Sequence, residues 1–178
     1  MRIVKFSLGL ILILGLFAVL GCTAGEPGDE VDTSSEDGIT TDGGDALPEG
    51  FEMLPGEDFA VANYAGKILV VDIWATWCPP CKKEIPHLIE IANEYKDTDV
   101  VLVGISVDDN PMKEVPKYAK KEGINYVNFD GTSDNLKDFV KTPGVPVKLI
   151  FDKEGNEVFR YVGGMKKEAL IAEIEDVK

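Results

Sequence analysis

Cys78 and Cys81, three positions apart, are the residues of this chain best equipped for chemistry. They stand in the run Trp77-Cys78-Pro79-Pro80-Cys81, after an apolar stretch and at the opening of a helical pattern. At that spacing two sulfurs can close a small disulfide, and in that context the pair reads as a redox motif. The first N–H groups of a helix lack intrahelical partners and its N-terminal dipole end is positive, so a thiolate is favoured there. The thiolate is the species that attacks a disulfide. Cys78, at the helix cap, is the candidate nucleophile. Cys81, one turn in, is the candidate resolving thiol that attacks the mixed disulfide and frees the reduced partner. The bland alternative is a structural disulfide or a buried free pair. Zinc needs four ligands, and the only other candidate nearby is His87, which a solvated helix position explains more simply. Covalent haem attachment needs a His directly after the second Cys, where this chain has Lys82. Neither a metal nor any cofactor beyond the disulfide itself is expected.

These cysteines need a strand to lead into them and a helix to carry them. Residues 68–74 form a near-continuous apolar run, as a strand buried on both faces should. Residues 79–95 read as a helix with Ile85, Leu88, Ile89 and Ala92 on one face. A second buried strand is expected over 99–107. Asn110-Pro111 should cap a helix running to Lys121 and ended by Gly123, with Pro116 either kinking it or delaying its start. A short strand follows over 126–130 and a short helix over 134–140. Strands over 147–152 and 157–162 read as a hairpin across Lys153-Glu154-Gly155-Asn156. An amphipathic helix closes the domain over 165–177. Residues 56–63 are expected to hold a short hairpin or an edge strand. Trp74, Phe129, Phe139 and Phe151 are most simply core. Strand–helix–strand units followed by a hairpin and a last helix give an α/β sandwich, parallel in the middle and antiparallel at one edge.

The first fifty residues do something else. Arg2 and Lys5 precede an apolar run over 6–20, too short for a membrane span of about 20 residues. Residues 1–21 therefore read as an export signal. Residues 22–50 hold nine Asp and Glu and no Lys or Arg, with no apolar periodicity. Such a segment cannot bury enough surface to offset its ordering entropy, and its like charges extend it. It reads as a tether, and residues 51–178 as the catalytic domain. The net charge of −14 argues against nucleic acid as a partner, for which a basic stripe would be needed.

Two resemblances refine this reading. Val19-Leu20-Gly21-Cys22 resembles a bacterial lipobox, whose Cys becomes the lipidated N-terminus. That would leave Cys78 and Cys81 as the only pair among three cysteines. An ordinary signal peptide with an incidental Cys, or an uncleaved anchor, are the alternatives. Several acyl chains on Cys22 would hold the protein stably at a membrane.

The block Val71-Asp72-Ile73-Trp74-Ala75-Thr76-Trp77-Cys78-Pro79-Pro80-Cys81-Lys82-Lys83-Glu84 resembles the active-site block of thioredoxin-fold proteins. It is most similar to the exported TlpA/ResA branch of thiol-disulfide oxidoreductases, often membrane-tethered. Gly144-Val145-Pro146 before a strand resembles that fold's cis-proline loop, and the segment between Asp108 and Thr142 resembles the helix-strand insert of the TlpA branch. The resemblance covers residues 51–178. It implies an α/β thioredoxin-like fold: a central mixed sheet flanked by helices, with the TlpA-type insert. One departure is Asp72, where the TlpA branch often has an amide and thioredoxins have an acid.

What the resemblance implies for the site follows residue by residue. Asp72 matches the acid that thioredoxins bury behind the resolving Cys; burial would raise its pKa and let it serve as base for Cys81. A strand-end Asp reaching solvent is the alternative. Glu84 matches an acid near the ResA-like active site and would share that proton-handling role, unless it is an ordinary exposed helix Glu. Pro146 would be cis and set the substrate groove, with Val145 offering its backbone to an extended substrate chain. Trp77 would shield the site and stack on partners, or simply pack in the core.

The prolines bear on direction. Pro79 fits the first helical position, where its missing N–H costs nothing. Pro80 removes a further first-turn N–H that could donate to Cys78. A less stabilised thiolate makes a less oxidising disulfide, nearer the roughly −270 mV of thioredoxin than the roughly −120 mV of DsbA. The leading expectation is thus an extracytoplasmic, membrane-tethered reductase of protein disulfides, such as apocytochrome c cysteines or other envelope proteins. A membrane electron donor of the CcdA/DsbD type would resupply it. A disulfide-forming oxidase or isomerase, or a non-catalytic binding lipoprotein on the same fold, are the competing readings. A thiol peroxidase shares the fold, but there is no peroxidatic-Cys context outside the Cys-x-x-Cys.

Overall fold

The computed structural model describes residues 46–178. The signal over 1–21, Cys22 and most of the segment 22–50 lie outside the described residues. Among the described residues no helix is long and apolar enough to cross a membrane.

The apolar run around Asp72 forms strand β2 (Ile68–Trp74), buried along its whole length. Strand β3 (Val100–Ser106) lies parallel to it, with Ile68 opposite Val100 and Trp74 opposite Ser106. Parallel neighbours need a crossover, and helix α1 (Pro79–Tyr95) supplies it. A second crossover, helix α2 (Pro111–Glu122), leads to strand β4 (Asn128–Asp130), parallel to β3. The two-residue strand β1 (Met53–Leu54) closes that edge, parallel to β4. On the other side of β2, strand β5 (Val147–Phe151) runs antiparallel and forms a hairpin with β6 (Glu157–Val162). Helix α3 (Lys167–Val177) ends the chain. The sheet order is β1-β4-β3-β2-β5-β6, a thioredoxin-like mixed sheet flanked by three helices.

Several local expectations are corrected. Residues 56–63 form neither a hairpin nor an edge strand but two single turns of 3-10 helix, Gly56–Asp58 and Val61–Tyr64. Their backbone bonds are local, Phe59 N to Gly56 O and Asn63 N to Ala60 O, while Phe59 packs beneath the sheet. The edge strand lies just upstream. The helix expected over 134–140 contracts to a 3-10 turn, Asp134–Leu136, and the strand over 126–130 to Asn128–Asp130. Helix α2 passes through Pro116 without a late start. It begins after Asn110, whose carbonyl accepts the first N–H groups, and its side chain makes no capping bond. It ends at Gly123, whose φ of +78° is the left-handed conformation that glycine adopts freely.

Strand alternation divides the interior in two. Leu69, Val71 and Ile73 of β2 join Val103, Ile105, Val147, Leu149, Phe151 and Phe59 on one face. Ile68, Val70 and Trp74 join Ile150 and the buried sides of all three helices on the other, together with both cysteines. Period-two geometry therefore sends Asp72 of β2 and Lys148 of β5 to the helix side.

Candidate active site

The loop from Ala75 to Trp77 delivers Cys78 to the N-cap of α1, and Pro79 and Pro80 occupy the first helical positions. Cys78 and Cys81 are joined by a disulfide, S–S 2.04 Å. Both are buried. With the two prolines lacking N–H groups, the donor that reaches Cys78 Sγ is the Cys81 N–H, at 3.2 Å. On the other side Cys78 Sγ lies 3.6 Å from the Val145 carbonyl, and the Val145–Pro146 bond is cis. Trp77 is 61% exposed, so it is not a core residue. It lines an open apolar groove with Val107, Val140, Gly144 and Val145. The disulfide thus sits beside a backbone carbonyl and a shallow apolar surface, which suits an extended peptide bearing a cysteine.

The loop before Cys78 is braced from β3. The buried carboxylate of Asp108 accepts from Thr76 N at 3.0 Å, Thr76 Oγ1 at 2.7 Å and Ser106 Oγ at 2.6 Å. Trp74, one loop earlier, donates from Nε1 to Asn128 Oδ1 at 2.9 Å. That contact needs Gly104, because a Cβ there would stand 2.1 Å from Asn128 Oδ1.

Asp72 and Glu84 are brought together by a residue that the sequence reading did not single out. Lys148, 1% exposed, donates to Asp72 Oδ1 at 2.7 Å and to Glu84 Oε2 at 2.8 Å. Asp72 and Lys148 are direct cross-strand partners. Glu84, one turn beyond Cys81 on α1, is 6% exposed rather than an ordinary surface Glu, and its other oxygen accepts the Met165 N–H ahead of α3. Burial pushes the Asp72 carboxyl above the usual carboxylate range; Lys148 offsets part of this and Glu84 adds to it. Burial pulls Lys148 down, but the two carboxylates outweigh it and hold its pKa above the ordinary value. Tyr126, whose hydroxyl is buried without a partner, is pushed well up by burial and then by Asp72 and Glu84. His87 is exposed on α1. Among the described residues no group of three or more His, Cys, Asp or Glu could hold a metal ion.

A signal for Lys148 was present. It follows Pro146 by two, in a strand apolar at every other position, and a buried Asp72 calls for a cation.

Known proteins agree with this geometry. The Redoxin family model matches residues 42–178. Thiol-disulfide oxidoreductase ResA of Geobacillus kaustophilus is 27% identical over 125 residues, 70% of this chain and 71% of that protein. Among solved structures, a thiol:disulfide interchange protein of the thioredoxin family from Chlorobium tepidum is 28% identical with a TM-score of 0.58, covering 67% of this chain and 85% of that one. The exposed lipoprotein thioredoxin of Streptococcus pneumoniae is 26% identical with a TM-score of 0.51, covering 66% and 90%. With Cys78 and Cys81 bonded at the head of α1 beside a cis-proline loop, the chain belongs to the Redoxin family, as a ResA/TlpA-like thioredoxin-fold thiol-disulfide oxidoreductase.

Proposed function

We propose that the protein reduces disulfides of extracytoplasmic proteins, with the Cys78–Cys81 couple as its redox group. The observation that carries this is the donor set around Cys78 Sγ. Pro79 and Pro80 leave the Cys81 N–H as the first-turn donor in reach, so the thiolate is weakly stabilised and the dithiol gives up its electrons readily. In the working direction the Cys78 thiolate attacks a substrate disulfide, and one substrate sulfur leaves as thiolate. Cys81 then loses its proton to the buried carboxylates and attacks Cys78 Sγ. The mixed disulfide breaks, the second substrate sulfur leaves with its electron pair, and the Cys78–Cys81 disulfide is restored. Asp72 and Glu84 handle the proton, Trp77 and Val145 seat the substrate chain, and Pro146 shapes the groove.

Residues 1–21 are an export signal, Cys22 carries the lipid, and residues 22–50 tether the domain of residues 51–178 to the outer face of the membrane. The lipobox-like Val19-Leu20-Gly21-Cys22 supports this, as does the likeness to a pneumococcal lipoprotein thioredoxin. Outside the cytosol each turnover consumes two electrons, so a membrane donor of the CcdA/DsbD type must return them. Apocytochrome c cysteines and other envelope disulfides are the substrate class.

The test is the reduction potential of the Cys78–Cys81 pair, equilibrated in a redox buffer. A value near roughly −270 mV supports the reductase; one near roughly −120 mV makes the protein an oxidant and overturns the argument from Pro80.

A further inference from the structure

Among the described residues Lys148 is the ammonium that touches both acids proposed to handle the Cys81 proton, and its place in the chain is distinctive. It lies two residues beyond Pro146, on the strand that carries the substrate loop into the core. Its neighbours Val147 and Leu149 point to the opposite face, into the apolar cluster with Leu69, Val71 and Ile73. Nothing about packing alone requires a Lys here, since Ile150, the next residue on the same face, shows that a hydrocarbon fits that layer. A long cation is seldom buried without a reason, because leaving water is costly for it.

The cluster also has a way out. Glu84 reaches Lys148 with Oε2, and it lines a surface groove with Pro80, Lys83, His87, Gly164, Met165 and Lys166. Asp72 has no such exposure and depends on Lys148 for its ionic partner. The groups facing Lys148 are Asp72 from β2, Glu84 from α1 and, within electrostatic reach of both acids, the unpartnered hydroxyl of Tyr126 ahead of β4. Lys148 bridges both carboxyl groups, so the two acids share one ammonium. Without it, two carboxylates would share a buried space, where like charges cannot both stay ionised.

We propose that Lys148 is a positioning residue of the thiol-disulfide reaction: its ammonium holds Asp72 and Glu84 together and ionised, so that the cluster accepts the Cys81 proton as the resolving thiol attacks. The thiol S–H breaks, the proton goes to a carboxylate, and the electron pair left on Cys81 forms the new bond to Cys78 Sγ. The bond from Cys78 to the substrate sulfur breaks, and the substrate leaves as thiolate. The cluster then returns its proton to solvent at the Glu84 groove. This inference rests on the proton-handling roles proposed above for Asp72 and Glu84.

The experiment is the single-turnover rate of the full-length reduced protein on a disulfide-bonded peptide, followed from about pH 5 to pH 9. Lys148→Met moves the midpoint of the profile upward by about one pH unit or more, because an acid left without its cation holds its proton to higher pH. Lys148→Arg keeps the charge and leaves the midpoint near that of the unmodified protein. If Lys148→Met does not fold, Lys148→Met with Glu84→Gln removes the like-charge pair and should show the same upward move, now from Asp72 alone. A midpoint unmoved by either Met variant, while Asp72→Asn changes the profile, reduces Lys148 to packing and overturns the inference. Profiles unmoved by Asp72→Asn and Glu84→Gln as well would overturn the proton-handling roles beneath it.

Discussion

On one face of the sheet, Leu69, Val71 and Ile73 of β2 meet Val147, Leu149 and Phe151 of β5 and the rings of Phe59, Phe129 and Phe139. The rings pack with one another; Phe59 lies 5.2 Å from Phe129 and from Phe139, centroid to centroid. On the other face the alternate residues of the same two strands include Asp72, Trp74 and Lys148, and the helix laid over them carries Cys78, Cys81 and Glu84. One face is lined by apolar side chains, and the other accommodates a disulfide, the Asp72–Lys148–Glu84 cluster and the Tyr126 hydroxyl. The strands that build both are the same, so the difference arises from period-two alternation and from which residues fall on which phase. The lesson is a division of labour: the apolar face supplies the stability that lets the helix face bear the cost of buried charge.

The harshest way to break the comparison is to remove a sulfur. Cys78→Ser leaves no nucleophile and takes turnover to background, while the thermal transition of the reduced form stays close to that of the reduced parent. Cys81→Ser keeps the attack but removes its resolution, so the mixed disulfide with substrate accumulates and is seen as an added mass. A Cys81→Ser protein that still turns over with no trapped adduct would place the resolving thiol elsewhere.

Adjacent residues of β5 offer a gentler contrast. Leu149→Ala removes apolar volume from the hydrocarbon face and should cost about 2–5 kcal/mol, with the potential and the pH profile unchanged. Lys148→Met leaves two buried acids without their cation and should cost about 3–5 kcal/mol, and it moves the pH profile as well. Denaturant unfolding measures both losses, and the pH profile of the single-turnover rate separates them. If Leu149→Ala altered the chemistry as much as Lys148→Met, the two faces would not be independent.

How far each face could be read beforehand follows the same division. Strands β2, β3 and β5 and helix α1 were legible because long apolar periodicity and the Cys-Pro-Pro-Cys cap leave little competition for those segments. Residues 56–63 were not, because Phe59 and Val61 alternate as a strand would. Their backbone bonds close locally, and the packing of Gly56 against the Asp130 carbonyl is invisible in a linear chain. At the site, Cys78, Cys81, Asp72, Glu84 and Pro146 were marked by resemblance to a family pattern. Lys148 and Asp108 carry no motif. Their importance comes from what meets them across the sheet, Asp72 in one case and Thr76 in the other, and those pairings exist only once strand register is known.

The finest test concerns the charge on Asp72 itself. Burial raises its folded pKa above the ordinary 3.8, with Lys148 only partly opposing the shift. An acid of that kind favours the fold while it is protonated. Its contribution is fully present below the unfolded pKa and is lost as pH rises through the folded value. Above the unfolded pKa, burial of this carboxyl therefore costs the fold stability. Asp72→Asn keeps the size and an acceptor for Lys148 but removes the charge, so it should be more stable than the parent at neutral pH. The gain amounts to about 1.4 kcal/mol for every tenfold change in proton affinity. It should shrink towards nothing as pH falls to the neighbourhood of 3.8, where the parent's carboxyl is also neutral. Thermal melts of both proteins across the acid-to-neutral range read the difference directly. A gain that stayed constant with pH, or a loss at neutral pH, would mean that Lys148 fully compensates the charge, against the like charge of Glu84. The helix face would then cost the fold nothing that the apolar face has to offset.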